Sequence, residues 1–127
     1  MPDFRKLLVW NKAHALSLRL DAVAHRIAKK DPDLAKQIER AGAAIPAAIA
    51  EGRGRATDKD FARYVSVGIG ESTEVENHLQ RTFDKRFLSA AEHESLTEAT
   101  IEVRKMLVGL RNALNGGPKR QPDESTA

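Results

Sequence analysis

Four stretches of this chain repeat their apolar residues at alternating steps of four and three. No stretch shows the period of two that a half-buried strand needs. Val9, Ala13, Leu16, Leu20, Val23 and Ile27 form the first stripe, with Lys12, Arg19 and Arg26 off it. The second runs Leu34, Ile38, Ala41, Ile45, Ala48, Gly52. The third runs Phe61, Val65, Gly68, Ser72, Val75, Leu79, and the fourth Leu96, Ala99, Val103, Met106, Leu110, Ala113. This spacing places each set on one face of a helix. Four amphipathic helices joined by short breaks predict an all-α, antiparallel up-down-up-down four-helix bundle.

The breaks carry their own signals. The first helix is expected over about residues 5–29. Asp31-Pro32 then supplies an N-cap with proline at the first helical position. The second helix is expected to run to Glu51, with Gly52 and Gly54 stopping it. Thr57 and Asp60 resemble a capping box ahead of a third helix that ends near Phe87. Ser89 and Glu92 form a closer match ahead of the fourth. Gly116, Gly117 and Pro118 end that helix, so residues 1–115 are expected to form the bundle. Residues 116–127 lack an apolar anchor and are expected to be a disordered tail.

The chain has 127 residues, enough for one core without staples. It contains no cysteine, which excludes disulfides and thiolate catalysis and suits a reducing cytoplasm. Asn11, Lys12, His14 and Arg19 interrupt the N-terminal apolar run, so neither a signal peptide nor a membrane span is expected. The net charge of +3 is mildly basic.

Within the second helix, Ala43–Arg55 reads AAIPAAIAEGRGR. A proline inside a helix removes a backbone hydrogen bond and costs about 3 kcal/mol. Pro46 is therefore expected to kink this helix, freeing the carbonyl of Gly42. Glu51 faces the unfavourable end of the helix dipole, and neighbouring Arg53 and Arg55 are expected to offset it. If helices two and three form a hairpin, facing residues have numbers summing to roughly 111. That register sets Ala43 opposite Gly68, Ala41 opposite Gly70, Gln37 opposite Glu74 and Arg40 opposite Glu71. Ala43, Ala47 and Ala50 make a second apolar face, and Ile101 and Val108 lie off the main stripe of helix four. Such surplus faces suggest self-association.

Catalytic patterns are sparse. Gly-Arg-Gly-Arg-Ala-Thr-Asp-Lys is not a phosphate-binding loop, no Gly-x-Ser-x-Gly occurs, and no serine has an evident His/Asp partner. Glu-x-x-His, the di-iron signature of helical bundles, is absent, and His14, His25, His78 and His93 are scattered. No enzyme, metal or cofactor is expected. Two readings remain. In one, Arg53, Arg55, Lys59 and Arg63 around the second interhelical loop contact nucleic-acid phosphates. Arg5, Lys6, Arg111, Lys119 and Arg120 would add charge at that end, and Asp58 and Asp60 would dilute it. No aromatic stacking platform is evident. In the other, the bundle binds a small ligand or metal, possible enzyme chemistry included, through Glu51, Glu74 and His78.

Phe4-x-x-Leu7-x-Val9-Trp10-x-Lys12-Ala13 resembles the opening of the 23S rRNA intervening-sequence family of four-helix proteins. The likeness continues through Gln37-Ile38-x-Arg40-Ala41, Ile45-Pro46-Ala47-x-Ile49-Ala50-Glu51-Gly52, Arg55 and Phe61-x-Arg63. It ends at Gly70-x-Ser72-x-Glu74-Val75-Glu76-x-His78-Leu79. Gln37, Arg40, Pro46, Glu51, Gly52, Gly70 and Glu74 form its structural signature. Ala44 and Ala48 stand where the family usually has Ser and Asn, and Glu71 and Ser72 where it has Ser and Leu. The resemblance implies a ring-like homopentamer of bundles and no defined reaction. It also suggests, by analogy with a related retroelement accessory protein, partners such as RNA or another nucleic acid and a reverse transcriptase, with no membrane.

Overall fold

The computed structural model describes residues 3–116. They form a short 3-10 turn, Phe4–Lys6, and four helices with no strand: α1 (Leu8–Ile27), α2 (Pro32–Arg53), α3 (Asp58–Asp84) and α4 (Ala90–Leu114). No helix is long and apolar enough to cross a membrane among these residues. The expected tail lies, from Gly117 onward, outside the described residues.

The helix starts follow the caps. Asp31 accepts the Leu34 N–H at 3.1 Å, with Pro32 at the first position. Thr57 accepts the Asp60 N–H at 3.1 Å, but Asp60 does not reciprocate and turns to arginines instead. Ser89 and Glu92 complete the reciprocal box.

The ends depart from expectation in three places. The first helix is shorter than residues 5–29, because Asp3 caps a separate turn and Leu7 is extended (φ −80°, ψ 124°) before α1 begins. The third helix stops at Asp84, three residues short of Phe87. There Arg86 adopts φ 67°, the Arg86 N–H reaches Phe83 O at 2.8 Å, and the Phe87 N–H reaches Thr82 O at 3.0 Å. This is a Schellman closure with arginine where glycine is usual, so no glycine announced it. The second helix continues through Gly52 to Arg53 and ends on Gly54 at φ −82°. Gly52 is thus no stop signal. A Cβ there would lie 2.8 Å from both Phe61 Cδ1 and Tyr64 Cβ, so its role is to let α3 approach.

α2 packs against both α1 and α3, α3 also packs against α4, and α1 and α4 touch more lightly. Leu20, Ile38, Ile45, Ile49, Val65, Val75, Leu79, Val103 and Leu107 are fully enclosed between them. Buried Ser72, Thr82 and Thr100 turn their hydroxyls back to Ile69 O (2.6 Å), His78 O (2.6 Å) and Leu96 O (2.8 Å), which satisfies them inside their own helices. On α4 the stripe drawn through Ala99, Met106 and Leu110 is half-buried, Ala113 is exposed, and the centre of the face is Thr100, Val103 and Leu107. Apolar residues surround much of α4, so hydropathy alone did not mark which of them points inward.

The α2–α3 register is offset from the expected one. A Cβ on Gly68 would meet Ala48 Cβ at 3.9 Å and Ile45 O at 4.0 Å, not Ala43, and Leu107 Cδ1 at 3.3 Å. Gly70 meets nothing within 4 Å and is exposed, so it does not face Ala41. Two residues are about 200° apart around a helix, so Gly68 and Gly70 cannot share a seam. α2 remains one helix through buried Pro46.

Gly52→Ala is therefore expected to lower stability by about 1–3 kcal/mol through overpacking against Phe61 and Tyr64. Gly70→Ala is expected to raise it by up to about 1 kcal/mol through helix propensity. Thermal unfolding of the two variants checks this; shifts of the same sign would refute the close seam at Gly52.

Candidate nucleic-acid interface

The α2–α3 loop lies where α2 ends and α3 begins, and Tyr64 sits at its centre. The Arg55 guanidinium lies 4.8 Å and the Arg63 guanidinium 4.6 Å from the Tyr64 ring centroid. Arg55 also donates to the Tyr64 hydroxyl. Asp60 holds both cations: its Oδ1 accepts from Arg63 Nε at 2.9 Å, and its Oδ2 lies 3.2 Å from Arg55 Nε. The Asp60 hydrogen bond, with a further contribution from Tyr64, raises the Arg63 pKa above its ordinary value. The two arginines are positioned by (i, i+3) and cross-loop contacts, and their side chains remain 41% and 61% exposed.

Arg53 is half-buried, and its Nε has no hydrogen-bond partner among the described residues. Lys59 is exposed, with no carboxylate within ion-pair distance among them. Glu51 was expected to pair with Arg53 or Arg55; it is exposed without an ion pair among the described residues, because Asp60 takes Arg55. At the same end Arg111 of α4 donates to Ser66 Oγ at 3.3 Å. Arg5 pairs with Asp3 at 3.0 Å and lies over Phe4, and Lys6 is exposed. Lys119 and Arg120 lie outside the described residues.

Besides the Phe83–His93 stack between α3 and α4 at 4.5 Å, two aromatic features went unmarked by the sequence motifs. One is the arginine-flanked Tyr64. The other is a ladder in which Phe4 meets Trp10 edge-on at 4.9 Å and Trp10 stacks on His14 at 4.7 Å with a 10° tilt. The (i, i+4) spacing of Trp10 and His14 was the available signal.

The alternative ligand set is only half assembled. His78 is buried, and its Nε2 lies 3.4 Å from Glu74 Oε1 without a well-aligned hydrogen bond. Glu51 is elsewhere. Its neighbour Gly52 packs on Phe61 and Tyr64, and Tyr64 precedes Glu74 by ten residues, about 15 Å along a helix. No group of three His, Asp or Glu side chains fit to hold a metal occurs among the described residues. Glu74 instead serves Arg40, which also reaches Glu71 at 3.4 Å. The expected Arg40–Glu71 tie is present, and Arg40 rather than Gln37 meets Glu74.

A family model of the 23S rRNA-intervening sequence protein matches residues 5–109. The chain belongs to that family. It is similar in structure to a protein of unknown function from the S23 ribosomal protein family of Bacteroides thetaiotaomicron VPI-5482, with a TM-score of 0.79 and 23% identity. The likeness covers 82% of this chain and 98% of that one, and it establishes the shared four-helix fold. No curated protein matches.

Within this family member, the carboxylates with displaced pKa values are held in ion pairs. For Glu74, partial burial pushes the carboxyl up, but the Arg40 hydrogen bond and charge, helped by His78 and Glu71, outweigh it and hold it below 4.5. Arg26, followed by the Ser89 N–H, holds Glu92 below 4.5. Lys85 and the Leu34 N–H hold Asp31 below 3.8. Carboxylates depressed in the folded state add stability above their unfolded pKa and lose it as pH falls through the folded one. The melting temperature is expected to stay level from about pH 7 to 5 and to drop below about pH 4. Glu92→Gln should make that acid drop shallower; an unchanged profile would show that the Arg26 pair contributes nothing.

Proposed function

We propose that this chain is a non-enzymatic binding scaffold that assembles with itself in the cytoplasm and contacts RNA through the α2–α3 loop. The observation that carries the reading is the exposed pair of arginines over Tyr64, with Lys59 beside it free of a carboxylate partner among the described residues. Arginines held against an aromatic ring are pre-organised for phosphate, because their side chains lose less freedom on binding. The local charge is modest, because Asp60 neutralises part of it, so few phosphates are neutralised and the salt dependence of affinity should be shallow.

In this proposal the helices form an antiparallel up-down-up-down bundle. Its support is the order of polar pairs: Lys12 with Glu102, Arg19 with Ser95, and Arg26 with Glu92 rise along α1 while falling along α4. A kink in α2 at Pro46 follows from the missing N–H. Assembly as a ring-like homopentamer is supported by apolar surface that one bundle leaves uncovered. Ala43 and Ala47 on α2 are exposed, as are Leu8 (62%), Leu18 (55%) and Val67 (48%). A reverse transcriptase stays a partner by analogy only.

Binding to a structured RNA at two salt concentrations tests the function. Wild type is expected to bind more tightly at the lower salt. Arg53→Ala with Arg55→Ala is expected to weaken binding and to flatten the salt slope by about 1 for each phosphate no longer neutralised. No binding at low salt would overturn the reading. Sedimentation at micromolar concentration is expected to show an oligomer of five chains; a monomer would sink the assembly.

A further inference from the structure

An open cavity of about 480 Å³ lies between the first turns of α3 and the end of α4, lined in part by Lys59, Asp60, Arg63, Ser66 and Asn115. Arg111, one turn before Asn115, donates to Ser66 Oγ from the α4 side. Only Lys59, Asp60 and Arg63 belong to the loop cluster already described; Ser66, Arg111 and Asn115 come from the interior of α3 and from α4. Lys59, Arg63 and Arg111 therefore surround one lining carboxylate, Asp60, whose two oxygens already serve Arg63 and Arg55. Neither Lys59 nor Arg111 has a carboxylate within ion-pair distance among the described residues. The first turn of α3 already holds Asp58 and Asp60, so its dipole is offset, and attraction for an anion must come from these side chains.

We infer that this cleft is a phosphate seat. The Lys59 ammonium, the Arg63 guanidinium shared with Asp60, the Ser66 hydroxyl and the Asn115 amide line the cleft, and Arg111 reaches its edge through Ser66. That suits a tetrahedral phosphate better than a planar carboxylate, which one arginine fork can satisfy. The cleft is open to solvent, so the phosphate enters with its sugar attached. The inference deepens the RNA reading and rests on it for the identity of the ligand: an internal phosphodiester or a terminal phosphate of an RNA strand. It adds that the contact surface bends from the α2–α3 loop toward α4, so that Ser66, Arg111 and Asn115 take part.

The test uses the full chain. Arg111→Gln is expected to weaken binding of a single-stranded RNA roughly tenfold near 0.1 M salt and to lower the log–log salt slope by about 1. Arg111→Lys should keep most of the affinity, and Asn115→Asp, which adds a negative charge to the cleft, should lose it. Unchanged affinity and slope in Arg111→Gln and Asn115→Asp would overturn the seat while leaving the loop reading intact. If RNA does not bind at all, titration with inorganic phosphate decides separately. Amide resonance shifts at Ser66 and Asn115 that vanish in Arg111→Gln would uphold the seat, and their absence in wild type would overturn it. Equal affinity for RNA with and without a 5′-phosphate would assign the seat to the internal backbone; a preference for the phosphorylated strand would assign it to the terminus.

Discussion

Close approach of α2 to its neighbours is the constraint on which the other features depend. Gly42 lies under Leu20 of α1, where an added Cβ would come within 2.8 Å of its Cδ1, and Gly52 lies under Phe61 and Tyr64 of α3. Glycine within a helix costs about 1 kcal/mol relative to alanine. Here the cost is offset by dispersion contacts that a larger residue would prevent. The seam at Gly52 also fixes where Tyr64 stands. Because Tyr64 is wedged against the end of α2, its ring is available as the surface over which Arg55 and Arg63 lie. The basic end is thus a consequence of the packing beneath it.

The same constraint changes how the Ile-Pro-Ala-Ala-Ile-Ala-Glu-Gly run reads. Ile45, Pro46, Ala48, Ile49 and Gly52 are buried, while Ala47 and Glu51 face outward. The run therefore builds a wall of the core and leaves a smooth outer strip. Glu51, one of the three residues of the alternative ligand set, lies apart from Glu74 and His78. Those two belong to a different cluster with Arg40 and Glu71 further along the hairpin. That ion-pair cluster lies part-way along the α2–α3 pair, the Asp31–Lys85 pair closes the far end, and the arginine–tyrosine group closes the loop end.

Membership of the family fixes the fold and brings no defined reaction with it. Function therefore has to be read from the surface. Asp60 shows how fine that balance is: it diminishes the positive field of the loop, yet it is also what orders Arg55 and Arg63. A single carboxylate shared by two arginines trades long-range attraction for local geometry.

How much was legible follows from which signals are local. Helix number and type, the caps at Asp31, Thr57 and Ser89, and most of the buried stripes of α1, α2 and α3 were readable, because periodicity and capping depend on residues within one turn of each other. So was the Arg40–Glu71 tie, since the long arginine side chain reaches across a register offset and meets both Glu71 and Glu74. The Schellman end at Arg86 was not, because arginine carries no mark of a left-handed conformation. The inward face of α4 was not, because Thr100 is polar by type and its hydroxyl is satisfied only once the helix exists. The offset that brings Gly68 to Ile45 and Ala48, and Gly52 rather than Gly70 into a seam, depends on how far two helices slide before their side chains interlock. The meeting of Arg55, Asp60, Arg63 and Tyr64, and of Ser66 with Arg111, depends on the same sliding. By itself the sequence determined four helices and the residues available to their surfaces. Only tertiary packing decided which of those residues meet, because side-chain interlocking across helices is set by shape, and shape is not periodic.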